Sequence, residues 1–284
     1  MTLFVGMVTQ KLDTVWIAEI RKALKISLET FYEYEPITCG SAGTTFTYRS
    51  NGSTLIITLR VPDTIAANWS LHASDIWVSS IYLANHLDNL HISDQIDALL
   101  PDERLRVLEL GAGAGLPGIL IAKTFRDIAV TVSDYPDERL IENLANNVAY
   151  NGVDDTCRTV AYAWGSDCSA LTGDSGGFDV VIAADTLWNS ELHGLFAAAL
   201  RDTLRKTPSS RVYIVAGLHT GRYTIQAFLS VLASNGFELE TIAEIRSSNS
   251  EQREWSVSRE GEDEGERRRW VVWLKIKRQF VHSS

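Results

Sequence analysis

The stretch LRVLELGAGAGLPGILIAKTFRDIAVTVSD, residues 105–134, decides the fold. LRVLEL (105–110) reads as a strand, LPGILIAKTF (116–125) as a helix and IAVTVSD (128–134) as a second strand. Continuous apolar runs of this kind suit strands buried on both faces, as in a parallel sheet covered by helices. The first strand and the helix are joined by GAGAG. Gly111, Gly113 and Gly115 carry no side chain, so a ligand can approach the backbone there. The helix starting near Leu116 directs free N–H groups and the positive end of its dipole at the same place, and Pro117 is tolerated in its first turn. In a doubly wound sheet this loop lies at the carboxyl edge, where ligands bind.

The alternation continues downstream. A helix is expected over 138–151, strands over 157–164 and 178–185, a helix over 191–206, a strand over 211–217, and a helix over 223–236 closed by Gly236. Strands at 237–245 and 269–277 have no helical pattern between them and should pair antiparallel. The polar stretch separating them, 246–268, reads as a mobile loop, with a substrate lid as the second reading. Upstream, residues 9–34 read as one or two helices. Residues 45–61 read as a β-hairpin turning at Asn51-Gly52, and 74–88 as a helix with Ser74 as N-cap.

The chain has 284 residues, 45% of them hydrophobic, enough for one large α/β domain with an N-terminal extension. Its formal charge of −10 opposes nucleic-acid phosphates and favours a basic partner, such as a Lys-rich protein tail or a small amine; the plainer reading of the charge is solubility. Cys39, Cys157 and Cys168 lie far apart without a CxxC, so neither a disulfide framework nor a zinc site is expected. No signal peptide or membrane-spanning run is read, and the expected location is cytoplasmic. The oligomeric state is left open.

Gly113-Ala114-Gly115-Leu116-Pro117-Gly118 matches the dinucleotide fingerprint GxGxxG, which alone is weak. Three features favour S-adenosyl-L-methionine over a dinucleotide. Glu109 ends the first strand, where a carboxylate suits a cationic amino-acid group and repels a pyrophosphate. The antiparallel strand pair at the C-terminal end fits a seven-stranded methyltransferase sheet. More than 100 residues precede the loop. Asp134, ending the second strand, suits ribose hydroxyls in either class. The plainer readings are a structural carboxylate for Glu109 and a helix cap for Asp134.

From about residue 44 to 277 the chain resembles the nicotinamide N-methyltransferase-like group of seven-strand methyltransferases. That group includes fungal enzymes that modify elongation factor one alpha and lies close to the non-SET protein-lysine methyltransferases. DIWVSSIYLANHL, VLELGAGAGLPGILIA, VTVSDYPDERLIENLANNV, YAWG, FDVVIAADTLWNSELH and RRRWVVWLKI carry the likeness, SDYPD and YAWG most specifically. The resemblance implies a cofactor site with Trp77 on its wall, Gly111, Ala112 and Gly113 in its glycine loop, Asp134 on the ribose and Trp164 beside the adenine. It also implies Ala184 next to the acid Asp185. Trp188 stands where relatives often carry Tyr or Phe, and His72 where they often carry Trp.

The expected fold is therefore an α/β, doubly wound, seven-stranded class I (Rossmann-like) sheet with an antiparallel C-terminal strand. It would comprise an N-terminal helical extension, 1–43, and a methyltransferase domain, 44–284. The expected reaction is methyl transfer to nitrogen on a protein lysine or N-terminal amine, with Asp185 orienting the acceptor and Trp188 walling its pocket. A small-molecule methyltransferase of fungal specialised metabolism and a cofactor-binding fold without methyl transfer are the alternatives. His193 and His219 lie near the same edge as minor candidates. Calorimetry on the purified protein should show binding of S-adenosylhomocysteine and none of NAD; the reverse pattern removes the cofactor reading.

Overall fold

The computed structural model describes residues 36–50, 54–173, 176–249 and 251–280. The helices expected over 9–34 and the Asn51-Gly52 turn fall outside these residues. The strands flanking that turn, β2 (Thr45–Arg49) and β3 (Ile56–Arg60), pair antiparallel with Thr45 opposite Arg60. A second small ladder joins β1 (Thr38–Cys39) to β4 (Ile76–Trp77).

The main sheet contains β5 (Leu105–Leu110), β6 (Ile128–Asp134), β7 (Cys157–Ala161), β8 (Val180–Ala184), β9 (Arg211–Gly217), β10 (Phe237–Arg246), β11 (Gln252–Glu254) and β12 (Trp270–Arg278). Its order is β11-β10-β12-β9-β8-β5-β6-β7, eight strands and not the seven expected. β5 to β9 are parallel, and β12 is inserted antiparallel between β9 and β10. The winding runs from β5 outward through β6 to β7 and, on the other side, through β8 to β9. The change of direction between β5 and β8 creates the crevice where such sheets bind ligands.

Both faces of the sheet are covered, as the apolar runs required. Leu105 and Val107 belong to a core shared with helices Val78–Asn85, Leu116–Thr124 and Glu138–Tyr150, while Leu108 and Leu110 join one built on helices His193–Thr203 and Arg222–Ser234. The β2–β3 ribbon is tied to the first of these layers by amides. Asn147 Nδ2 donates to Arg60 O (2.9 Å), and Arg60 N–H to Asn147 Oδ1 (2.8 Å). Asn151 exchanges the same pair of bonds with Thr58, at 2.8 and 3.1 Å.

Several boundaries move. Ile76 and Trp77 pair with β1, so the helix begins at Val78 and Ser74 is not its cap. β7 ends at Ala161 because the chain then turns, Ser166 N–H donating to Ala163 O (3.0 Å). The helix expected over 191–206 is a single 3-10 turn, Ser190–Leu192, followed by His193–Thr203. It stops where Phe178 N–H takes the carbonyl of Thr203 (2.9 Å). Among the described residues no helix is long and apolar enough to cross a membrane.

The larger correction concerns 246–268. Residues expected to form a loop supply the eighth strand, β11, and a short helix, Glu264–Arg268. They are held by charge. Glu244 of β10 has no exposed surface and receives both Arg222 Nη atoms (2.6 and 2.8 Å), Arg253 Nε (2.7 Å) and Arg259 Nε (3.1 Å). Glu262 receives Arg222 Nε (2.7 Å) and Arg253 Nη2 (2.8 Å). Burial would raise the Glu244 carboxyl, but these guanidiniums and Ser256 N–H overcome it and hold it at about 2. Polarity along 246–268 reflected partners three-dimensionally close but distant in sequence. Glu244→Ala should lower unfolding free energy by roughly 3 kcal/mol, since it takes from buried Arg222 one of its two carboxylate partners and leaves Glu262 to balance it alone. The folded pKa is depressed, so this contribution is complete at neutral pH and fades only as pH falls toward about 2. Denaturant titration of both proteins reads the difference.

Candidate cofactor and acceptor site

The loop after β5 is shaped by one buried carboxyl. Glu109 is 1% exposed, and its Oε2 accepts Gly118 N–H at 2.8 Å, an otherwise unpaired donor in the first turn of helix Leu116–Thr124. A Cβ on Gly118 would stand 2.4 Å from Val132 and 2.6 Å from that oxygen, so only glycine lets the helix sit this close. Burial pushes the Glu109 carboxyl up to about 8. Glu109 lines the cavity, and its hydrogen bond within the chain is to the helix that follows its strand.

With strand and helix pinned, the connection reverses through left-handed backbone at Gly111 (φ 69°), Gly113 (φ 55°) and Gly115 (φ 87°). A Cβ on Gly111 would lie 2.8 Å from Thr186 Cγ2, whereas the Cβ position of Gly113 has nothing within 4 Å. The turn points Gly113 N–H at Asp134 Oδ2 (2.6 Å), while Tyr135 N–H binds Oδ1 (2.7 Å). Burial pushes the Asp134 carboxyl up to about 6 despite these donors.

These residues border a cavity of about 390 Å³ at the carboxyl ends of β5, β6 and β8. Every residue expected at the site lines it: Trp77, Glu109, Gly111, Ala112, Gly113 and Asp134, and with them Trp164, Ala184, Asp185 and Trp188. Trp164 packs on Phe196 with ring centroids 4.6 Å apart. Trp77 donates its indole N–H to His72 O (2.9 Å), and Trp188 meets the His72 ring edge-on at 4.9 Å. Asp185 adopts φ 53°, a left-handed conformation rare outside glycine. Its Oδ1 accepts Gly217 N–H (2.7 Å), and its buried Oδ2 has no partner among the described residues.

The minor candidates do not line the cavity. His193 is buried, with Nε2 hydrogen-bonded to Leu187 O at 3.0 Å and its ring against Phe228. His219 stacks behind Trp77 at 5.0 Å. Sequence reasoning missed Thr186, whose methyl approaches Gly111 and whose buried hydroxyl has no hydrogen-bond partner among the described residues, and Asp75, a further carboxyl on the wall. It also missed Asp137 of SDYPD. Asp137 caps helix Glu138–Tyr150 through Leu140 N–H (3.0 Å) and accepts Asn68 Nδ2 (2.8 Å), tying the 66–71 turn to the Asp134 loop.

The lining fits S-adenosylmethionine. A pyrophosphate would meet Asp75, Glu109, Asp134 and Asp185 with no Lys or Arg among the described lining residues. Glycine backbone and an acid on neighbouring strands suit an amino-acid end and a ribose. A family model described as lysine methyltransferase matches residues 64–235, more than half the chain. The chain belongs to this lysine methyltransferase family. It is similar to a protein N-terminal and lysine N-methyltransferase of Schizosaccharomyces pombe, 31% identical over 63% of this chain and 70% of that protein. Proteins of the same description in Gibberella zeae (32% identical, 49% of this chain, 59% of that one) and Debaryomyces hansenii (34%, 46% and 52%) are also similar. The lysine methyltransferase fold here uses S-adenosylmethionine as methyl donor.

Asp134→Ala should weaken S-adenosylhomocysteine binding by about 1.5–3 kcal/mol, the range for losing hydrogen bonds to a charged acceptor. In the unaltered protein the affinity should fall as pH drops through about 6, because a protonated carboxyl loses acceptor capacity for ribose hydroxyls. Calorimetry across this range should show that slope vanish in the variant.

Proposed function

We propose that this enzyme methylates a protein amine, a lysine side chain or an N-terminal α-amine. The observation that carries the reading is the cavity wall: four carboxyls, no Lys or Arg among the described lining residues, and the rings of Trp77 and Trp188 at the end where Asp185 lies. Such a wall attracts a cation and offers aromatic faces to it. The net charge of −10 adds long-range attraction for a basic partner. The relatives' printed names, protein N-terminal and lysine N-methyltransferase, agree with this chemistry. A cytoplasmic setting suits the three free thiols.

When bound, the cofactor supplies an electrophilic methyl group for in-line displacement. The chain's contribution is to hold and aim. Asp134 and the Gly111–Gly113 backbone bind the donor, with Trp164 against its aromatic part. Asp185 Oδ2 accepts an N–H of the acceptor and turns the nitrogen lone pair toward the methyl carbon. Trp77 and Trp188 wall the acceptor and exclude water. Positioning of this kind supplies most of the rate once the amine is neutral.

Tritiated methyl transfer into a fractionated lysate tests the acceptor class: label should enter protein, and label confined to small molecules overturns the proposal. Asp185→Asn should lower kcat at least about tenfold with S-adenosylhomocysteine affinity nearly kept, the pattern of an interaction made in the transition state. Trp188→Phe should shift acceptor preference more than maximal rate. Parallel loss of melting temperature and cofactor binding in both variants would assign these residues to the fold alone.

A further inference from the structure

An amine acceptor must lose a proton before it can attack. A lysine ammonium has a pKa of about 10.4, so at neutral pH almost none of it carries a free lone pair. The group that takes the proton must touch the acceptor and must also pass the proton on to water. Three of the four carboxyls around the cavity fail one condition or the other. Glu109 is buried on Gly118, and Asp134 receives two backbone N–H groups at the glycine-loop end. Asp185 faces the acceptor end but is only 8% exposed and has one oxygen tied to Gly217.

His72 meets both conditions. It lines the cavity and is exposed. Its ring lies edge-on to Trp188 at 4.9 Å and to Trp77 at 6.3 Å, the two rings that wall the acceptor. Its backbone is in the left-handed region (φ 52°), a conformation uncommon for a histidine, and its carbonyl is held by the Trp77 indole N–H at 2.9 Å. No hydrogen bond occupies its ring nitrogens among the described residues. The carboxyls sharing its cavity are Asp75, Glu109, Asp134 and Asp185; Tyr135 and Tyr162 are the other titratable groups of the lining, and His219 stacks behind Trp77. Asp75 is close enough to feel the charge on His72.

We propose that His72 is the catalytic base, taking the proton of the acceptor ammonium at the cavity mouth and releasing it to bulk water. The inference rests on the amine-acceptor reading above. An ammonium N–H bond breaks as an N–H bond forms on the imidazole. The freed lone pair then forms the N–C bond to the methyl as the S–C pair returns to sulfur. The imidazolium loses its proton to solvent before the next turnover. Asp185 aims the nitrogen, and Asp75 offsets the charge that His72 gains.

The test is the pH profile of kcat/KM for His72→Asn, since asparagine accepts left-handed backbone. The acceptor is the labelled protein fraction from the lysate experiment. At about pH 7 the variant should lose at least about tenfold, the gap closing to within about twofold near pH 10, where the free amine is plentiful. S-adenosylhomocysteine affinity and melting temperature should stay unchanged. A uniform loss at every pH, or no loss at neutral pH, overturns the assignment of His72 while leaving the amine acceptor intact. If the unaltered enzyme labels no protein at any pH, the amine-acceptor reading fails and this one with it.

Discussion

The site depends on a carboxyl inside the protein that reaches a single backbone N–H. Buried Glu109 and Gly118 N–H face each other across 2.8 Å. An unpaired polar group here would cost several kcal/mol, so strand end and helix start are locked in register. That lock leaves the chain only residues 111–115 in which to reverse direction, and the left-handed glycines are the geometric result. The reversal in turn aims Gly113 N–H at Asp134 on the adjacent strand. Two strands and one helix are thus set against each other before any ligand arrives.

The cavity is asymmetric in how its polar groups are satisfied. At the glycine-loop end each acid already has backbone partners, and it is rigid by construction. At the other end Asp185 keeps a left-handed backbone and a buried oxygen without a partner, and the Thr186 hydroxyl beside it is also unsatisfied. Unsatisfied buried groups and strained backbone are both costly, and they persist where a bound molecule is to complete them. On the proposed reading, the glycine-loop end already has its backbone partners in the free chain, and the Asp185 end is the one that a substrate would complete.

Sequence showed the parts of this architecture that repeat a local rule. Alternating apolar runs gave the parallel core, and GAGAG followed by Leu116 gave the loop and its position at the sheet edge. Most residues proposed for the cofactor site lie at or just after strand ends, which topology alone brings together. What sequence hid depends on distant partners. Glu109 was ambiguous because its partner, Gly118, is chosen by helix packing. The 246–268 stretch looked like solvated loop because Glu244 and Arg222 lie on other elements. The 74–88 boundary was misplaced because β4 exists only through β1. SDYPD was visible as a motif, but neither the helix cap that Asp137 makes nor its grip on Asn68 was.

Asn147 and Asn151 have a consequence beyond anchoring the β2–β3 ribbon. Each satisfies a carbonyl and an amide of β3 with one side chain, imitating a neighbouring strand. A short ribbon with an open backbone edge is a template on which another chain can add. Here the helix supplies the missing neighbour in side-chain form, so β3 presents no free backbone at Thr58 and Arg60. The same two amides that dock the ribbon also make it a poor seed for aggregation.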